Sequence, residues 1–110
     1  MINVRLLFVP PGGGETNYGL DFNLPSIPQP GDYITVTRPN QEGSEDFIVR
    51  RTWWQLEYPE GPNTQDARTF TPGALKNAYV ECEFAKGPFS SESHLRSCGD
   101  KAKEFDNSAY

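Results

Sequence analysis

The sequence predicts a mainly β protein: a small curved antiparallel sheet or open barrel of about five strands, with a short C-terminal helix. Three observations lead there. Short segments of period-two apolar alternation recur from Ile2 to Phe84. Pro and Gly, 10 of each, interrupt the chain too often for long helices. Aromatic residues make up 13% against a hydrophobic total of 35%, so the expected core is thin and built on a few large rings. The 110 residues fit a single domain, 1–110, large enough to bury a core without staples. Within it, 1–88 reads as sheet or barrel and 89–110 as a helical tail packed upon it.

Each element follows from its residues. Ile2, Val4, Leu6 and Phe8 alternate with Asn3, Arg5, Leu7 and Val9, which reads as a strand with one face in the core and the other partly covered. Pro10-Pro11-Gly12-Gly13-Gly14 stops it, and Tyr18, Leu20, Phe22 and Leu24 alternate again to complete a hairpin. Pro25, Pro28 and Pro30 impose an extended path that ends in a turn at Pro30-Gly31. Tyr33 to Arg38 is rich in β-branched and aromatic residues, Pro39 to Ser44 is a polar turn, and Asp46 to Tyr58 is the longest β-like run, so a second hairpin is expected. Pro59 to Lys76 has no strand pattern, and structureless stretches of that length in compact domains are often functional. Asn77 to Ala85 alternates, with Ala78, Val80, Cys82 and Phe84 facing one way and Tyr79, Glu81 and Glu83 the other. Leu95, Cys98, Ala102 and Phe105 then recur at helical spacing between Ser90 and Phe105, although Gly99 weakens a helix there. The expected order is a five-strand meander whose terminal helix, through Leu95, Cys98 and Phe105, covers an open end or an edge strand.

Net charge is −5 with a pI near 4.8, and the basic residues are scattered apart from Arg50-Arg51. That balance argues against phosphate-backbone binding, hence no nucleic acid partner, while permitting an acidic face toward a basic one. No apolar run approaches the ~20 residues that cross a bilayer, so no membrane partner is expected. The first nine residues read as a strand and not as a signal peptide, which makes a cytoplasmic protein with Cys82 and Cys98 as free thiols the expectation.

In the stretch from Leu24 to Ile34, the residues Pro28, Gly31, Asp32 and Ile34 form a P-x-x-G-D-x-[IV] pattern, followed by the apolar run Phe47-Ile48-Val49. This resembles the strand entry of small uncharacterised bacterial proteins carried on mobile genetic elements such as phages and integron cassettes. The resemblance implies a fold type and carries no functional residues. The pattern itself is turn chemistry: Pro presets the turn, Gly takes the special dihedral, and Asp bonds a nearby backbone N–H.

Few constellations suggest chemistry. His94 and Cys98 share a helix face and Cys82 could join them, but no paired ligand spacing exists, so neither a metal nor a cofactor is expected. The same His–Cys pair lacks an orienting group and an oxyanion site for nucleophilic catalysis. The Gly12-Gly13-Gly14 run lacks the Lys of a phosphate loop and reads as a hairpin connection. Glu81 and Glu83 read as the solvent face of a strand, or with Glu57 as an acidic stripe. The single His and the absence of a motif disfavour an enzyme, and no catalytic residue is assigned.

The Trp53-Trp54 pair is the most informative feature. Adjacent strand residues point to opposite faces, so one ring should enter the core and the other should stay outside. In a regular strand Phe47 and Val49 share the face of Trp53, whereas Ile48, Leu56 and Tyr58 share that of Trp54. The second set is more apolar, which assigns Trp54 to the core and Trp53, beside Arg51, to a surface. The expected function is a non-enzymatic binding or protein-interaction module whose partner is another protein or a second copy of the chain. Its candidate surface is Arg51, Trp53, Trp54 and Tyr58 with Arg68 from the following loop. The alternative is a small-ligand-binding β-barrel in which Tyr18, Phe22, Trp53 and Trp54 line an aromatic mouth.

Overall fold

Strand for strand, the alternating segments pair as one curled sheet, a half-barrel. The computed structural model describes residues 1–59, 72–99 and 102–105. Its elements are β1 (Ile2–Val9), β2 (Tyr18–Leu24), β3 (Tyr33–Val36), β4 (Glu45–Glu57), β5 (Ala74–Lys86), a single short helix α1 (Glu92–Cys98) and a two-residue strand β6 (Lys103–Glu104). Both expected hairpins form, β1 with β2 and β3 with β4, each antiparallel. Most of the anticipated 59–76 loop lies outside the described residues, but its last three residues, Ala74 to Lys76, already belong to β5.

The meander does not form. The strand order is β2-β1-β5-β4-β3, so the last long strand enters between the two hairpins, antiparallel to β4 and parallel to β1. Burial explains the choice. From Val80 to Ala85 every residue of β5 is buried, and a meander would have left this strand at an edge with its apolar row and one ladder unsatisfied. The half-exposed β2 and the four-residue β3 take the edges instead.

The concave face holds the core. Val4, Leu6 and Phe8 lie beside Ala78, Val80, Cys82 and Phe84, which lie beside Phe47 and Val49, and Ile27 and Val36 fold in from the far edge. Phe8 is the centre: its ring sits 4.1 Å from that of Phe47 and 4.8 Å from that of Tyr18, and Phe47 meets Phe84 edge-on at 5.3 Å. Burial of each such side chain contributes roughly 1.5–3 kcal/mol. The P-x-x-G-D turn has the expected chemistry. Gly31 takes φ +93°, the Asp32 carboxylate accepts from the Gln29 N–H at 2.8 Å, and Gly31 and Asp32 exchange backbone bonds with Val49.

The C-terminal segment docks by different residues from those its spacing suggests. The helix begins at the Ser91 cap, whose hydroxyl accepts from the His94 N–H, and stops at Gly99 with φ +68°. Its buried side chains are His94 and Cys98, while Leu95 is exposed. Phe105 does reach the sheet, but from the segment around β6. It is buried with Ile48 and Ala85 on the convex side and stacks on Tyr33 at 4.5 Å. A helix continuous through residue 105 would have placed Leu95, Cys98 and Phe105 on one face; the break at Gly99 frees the chain to change sides.

A buried polar clasp holds α1 and the preceding turn. The Asp46 carboxylate accepts from the Thr35 hydroxyl at 2.7 Å, the Ser44 hydroxyl at 3.0 Å and the Ser90 hydroxyl. His94 Nε2 lies 2.8 Å from the Ala85 carbonyl oxygen and 3.2 Å from the Asp46 nitrogen, two backbone groups facing each other across the β4–β5 ladder. Gly87 passes so close that a Cβ there would sit 2.8 Å from the Asp46 carboxylate. Asp46→Ala should therefore cost on the order of 3 kcal/mol, because three hydroxyls lose a charged acceptor inside the protein. Gly87→Ala should destabilise as well, by forcing that carboxylate out of place. Urea denaturation of both variants checks this, and wild-type midpoints would show the clasp to be incidental.

Candidate interaction surface

β4 and β5 are each thirteen residues long, but their outer neighbours are short. β3 covers only 45–48 of β4, and β1 only 78–83 of β5. Residues 50–57 and 74–77 therefore continue as a two-stranded arm, in a molecule 58 Å long and 27 × 26 Å across. Among the described residues no strand pairs with the outer edge of β4 beyond Val49.

A bulge sets the faces of this arm. The ladder slips between Val49 and Arg51, leaving Arg50 unmatched. Before the slip, Phe47 and Val49 face the core; after it, Thr52 and Trp54 oppose Val80 and Ala78 in the same concave row. Trp54 thus reaches the face assigned to it, although Ile48, which a regular strand would place beside it, lies on the convex side with Phe105. Its burial is not as assigned. The covered core ends at the row Val4–Ala78–Trp54, nothing described lies above the ring, and Trp54 is 55% exposed. Leu56, which pairs with Leu75, is 69% exposed, and Tyr58, just past the strand, is 55% exposed.

On the convex side the arm is tied together by its own contacts. Trp53 stacks on Tyr79 at 5.3 Å and 21°, the Arg51 guanidinium lies 5.6 Å from the Trp53 ring centre, and Gln55 accepts from both Asn77 and Tyr79 at 3.2 Å. Trp53 is 38% exposed, less than Trp54, so the inner stripe Trp54–Leu56 is the barer surface of the two. Of the other assigned residues, Tyr18 and Phe22 lie on β2 in the body. Tyr18 packs on Phe8 and donates to Glu45 at 3.1 Å, and burial together with the Glu45 charge pushes its hydroxyl up to about 12. Phe22 shares the concave row of Trp54 through Val4 and Ala78, but Trp53 faces the other way, so the four aromatics do not line one mouth. Arg68 lies outside the described residues.

Glu81 and Glu83 are not a solvent face. Both are buried, because the bulge turns Arg50 and Arg51 to the same side and lays them over the carboxylates. Each arginine Nε lies 3.2 Å from Glu81 Oε2, Lys103 Nζ is 2.9 Å from Glu83 Oε1, and the Gly12 N–H donates to Glu83 at 2.8 Å. The Gly12–Gly14 turn closes so tightly on Arg50 that a Cβ at Gly13, where φ is +99°, would lie 3.0 Å from its guanidinium. The glycines thus serve a close approach to a cation and not a phosphate cradle. Nor do His94 and the thiols form a ligand set: His94 Nε2 engages backbone, Cys82 Sγ and Cys98 Sγ point at the Val80 and Ala85 carbonyls, and burial raises both thiols, Cys82 to about 12. Among the described residues no group of three or more His, Cys, Asp or Glu could hold a metal ion, and no helix is long and apolar enough to cross a membrane.

The exposures predict a clear ranking. Phe47→Ala should cost about 3–5 kcal/mol, against about 1 kcal/mol for either Trp53→Ala or Trp54→Ala. Chemical denaturation checks the order, and a Trp54 variant as damaged as the Phe47 variant would place that ring in the core after all. For Glu83, burial raises its carboxyl, but the Gly12 N–H, Lys103 and Arg50 outweigh burial and hold it below the usual 4.5. A lowered folded-state value means stability that is present above about pH 4.5 and lost as pH falls through the folded value. Glu83→Gln should flatten this acid limb of a stability–pH profile, and an unchanged slope would contradict the assignment.

No protein-family model matches the chain, and neither does any curated protein or any solved structure.

Proposed function

We propose that the protein is a non-enzymatic interaction module whose working surface is the projecting β4–β5 arm. One observation carries the reading: the large apolar side chains from Trp53 to Tyr58, namely Trp53, Trp54, Leu56 and Tyr58, are all exposed. At these exposures they leave on the order of 400 Å² of apolar surface, divided between the two faces of the arm. Trp, Tyr and Arg are also the residue types that dominate association energies, and Arg51 lies beside the rings. The partner that fits is a protein surface and not a nucleic acid backbone, given the net charge of −5. The titratable groups of the body favour this over catalysis, since Asp46, His94, Glu81 and Glu83 are all bonded internally.

A second reading rests on a groove of about 340 Å³ between the edge strands, lined mainly by Leu6, Phe22, Leu24, Pro28, Ile34 and Val36. Its size and apolar lining suit a small apolar ligand. The arm is weighted above it because the groove holds only one of the four aromatics assigned to a mouth.

A photoreactive phenylalanine analogue at position 56 of the full chain, irradiated in cells, should give a discrete covalent adduct. The same residue at the exposed position 3 on the body should give none. Adducts from position 3 alone, or from neither, would remove the arm as the working surface.

A further inference from the structure

We infer that the occupant of the β4 edge is a second copy of this chain, bound by antiparallel edge-to-edge pairing of β4 with β4 about a two-fold axis centred on Trp54. The inference rests on the arm being the working surface and names its partner. The free edge has defined ends. At one end, Gly31 and Asp32 occupy the backbone groups of Val49, and the bulge follows at Arg50. At the other end β4 stops at Glu57. The edge between them is Arg51-Thr52-Trp53-Trp54-Gln55-Leu56-Glu57, seven residues with one cation first, one anion last and no charge between.

That charge pattern selects a register. A two-fold axis perpendicular to the sheet must fall on a residue if the concave faces of both copies are to stay on one side. Centring on Trp54 sets Arg51 against Glu57 of the other copy twice, pairs Thr52 with Leu56 twice, and brings the two Trp54 residues opposite each other. Centring on Trp53 or Gln55 opposes no unlike charges and shortens the paired stretch. In the Trp54 register the exposed concave stripes of both copies join into one apolar band across four strands. On the convex side the Arg51–Glu57 pairs flank the Trp53–Tyr79 stacks. Glu57 makes no ion pair among the described residues, and Arg51, though it meets Glu81 at 3.2 and 3.4 Å, keeps a side chain that is 69% exposed, so both ends can also face a second copy. Among the described residues this edge is uncovered, carries two tryptophans and is charged only at its ends, so between them it lacks the proline and lysine that keep edges apart.

The test uses the full chain. Sedimentation velocity from low to high micromolar concentration should show a monomer–dimer equilibrium. Glu57→Arg places like charges opposite at two positions and should weaken the dimer about tenfold, and Glu57→Arg combined with Arg51→Glu should restore it. In the same register Trp54→Cys should form an interchain disulfide under mild oxidation, because directly opposite Cα atoms lie within bonding range. Leu56→Cys should not, since its mate lies four residues away, about 13 Å along the partner strand. Cys82 and Cys98 are buried and do not interfere. A chain that stays monomeric throughout, or a dimer indifferent to the charge exchange, overturns the proposal. If position 56 cross-links to a protein of another mass while the chain alone is monomeric, the arm remains the working surface and only self-pairing fails.

Discussion

The structure turns on a mismatch of strand lengths. β4 and β5 pair along almost their whole thirteen residues, while the strands that flank them reach only part of the way. Within the covered part, every row of the sheet crosses at least three strands and the curl brings the edges toward each other over a core. Past Ala78 the row shrinks to two strands. A two-stranded ribbon has no third strand to cover a ring, so aromatics that would be core anywhere else in this sheet become surface. The exposure of Trp54 follows from its place in the last covered row, Val4–Ala78–Trp54, where β3 has already ended opposite Ile48 and no longer flanks β4.

The bulge at Arg50 does a second job besides setting faces. A single curled sheet has a convex side with no layer of helices to cover it, and its central strand β5 places Glu81 and Glu83 there. One extra residue in β4 delivers two arginines to the same side, and the Gly-rich turn and β6 add a backbone N–H and a lysine. Two buried carboxylates are thereby matched by three cations, which lets the middle of the sheet be closed by ion pairs instead of apolar packing. Phe105 on Ile48 and Ala85 closes the next part of the same face. The convex surface is sealed by polar contacts at one end and by a ring at the other.

Much of this was legible in the residues. Alternation located every long strand, and Pro28-Gly31-Asp32 announced its turn with the bond that forms. What escaped has a common cause: alternation is a property of one strand, and pairing is a property of two. Nothing within 77–85 states that this strand inserts between two hairpins, although its nearly unbroken burial is what a central strand needs. The Arg50 bulge leaves no mark in β4 alone beyond the adjacent arginines, which make sense only opposite Glu81. The regular-strand reading put Ile48 on Trp54's face and the core ring in the wrong layer of cover, because it allowed neither the slip nor the missing neighbour. The helical spacing of Leu95, Cys98, Ala102 and Phe105 was real but crossed Gly99, whose positive φ ended the helix before the pattern did.

The chemistry-bearing side chains and the arm divide the molecule between them. His94 and Asp46 hold the terminal helix, Glu81 and Glu83 hold the convex face, and both thiols are buried, so these groups are engaged in keeping the fold. The arm shows the reverse. Its backbone edge and its concave stripe contribute little to the body, and cutting them back to the row of Ala78 would leave the core cluster nearly intact. An apolar projecting ribbon with an open edge raises the risk of aggregation, and natural sheets ordinarily remove such edges with proline, lysine or a closing strand. Here the prolines stand outside the ribbon, and the charges of the free edge itself, Arg51 and Glu57, sit only at its two ends. In the proposed self-pairing, that placement leaves the middle free to pair and makes one register better than its neighbours.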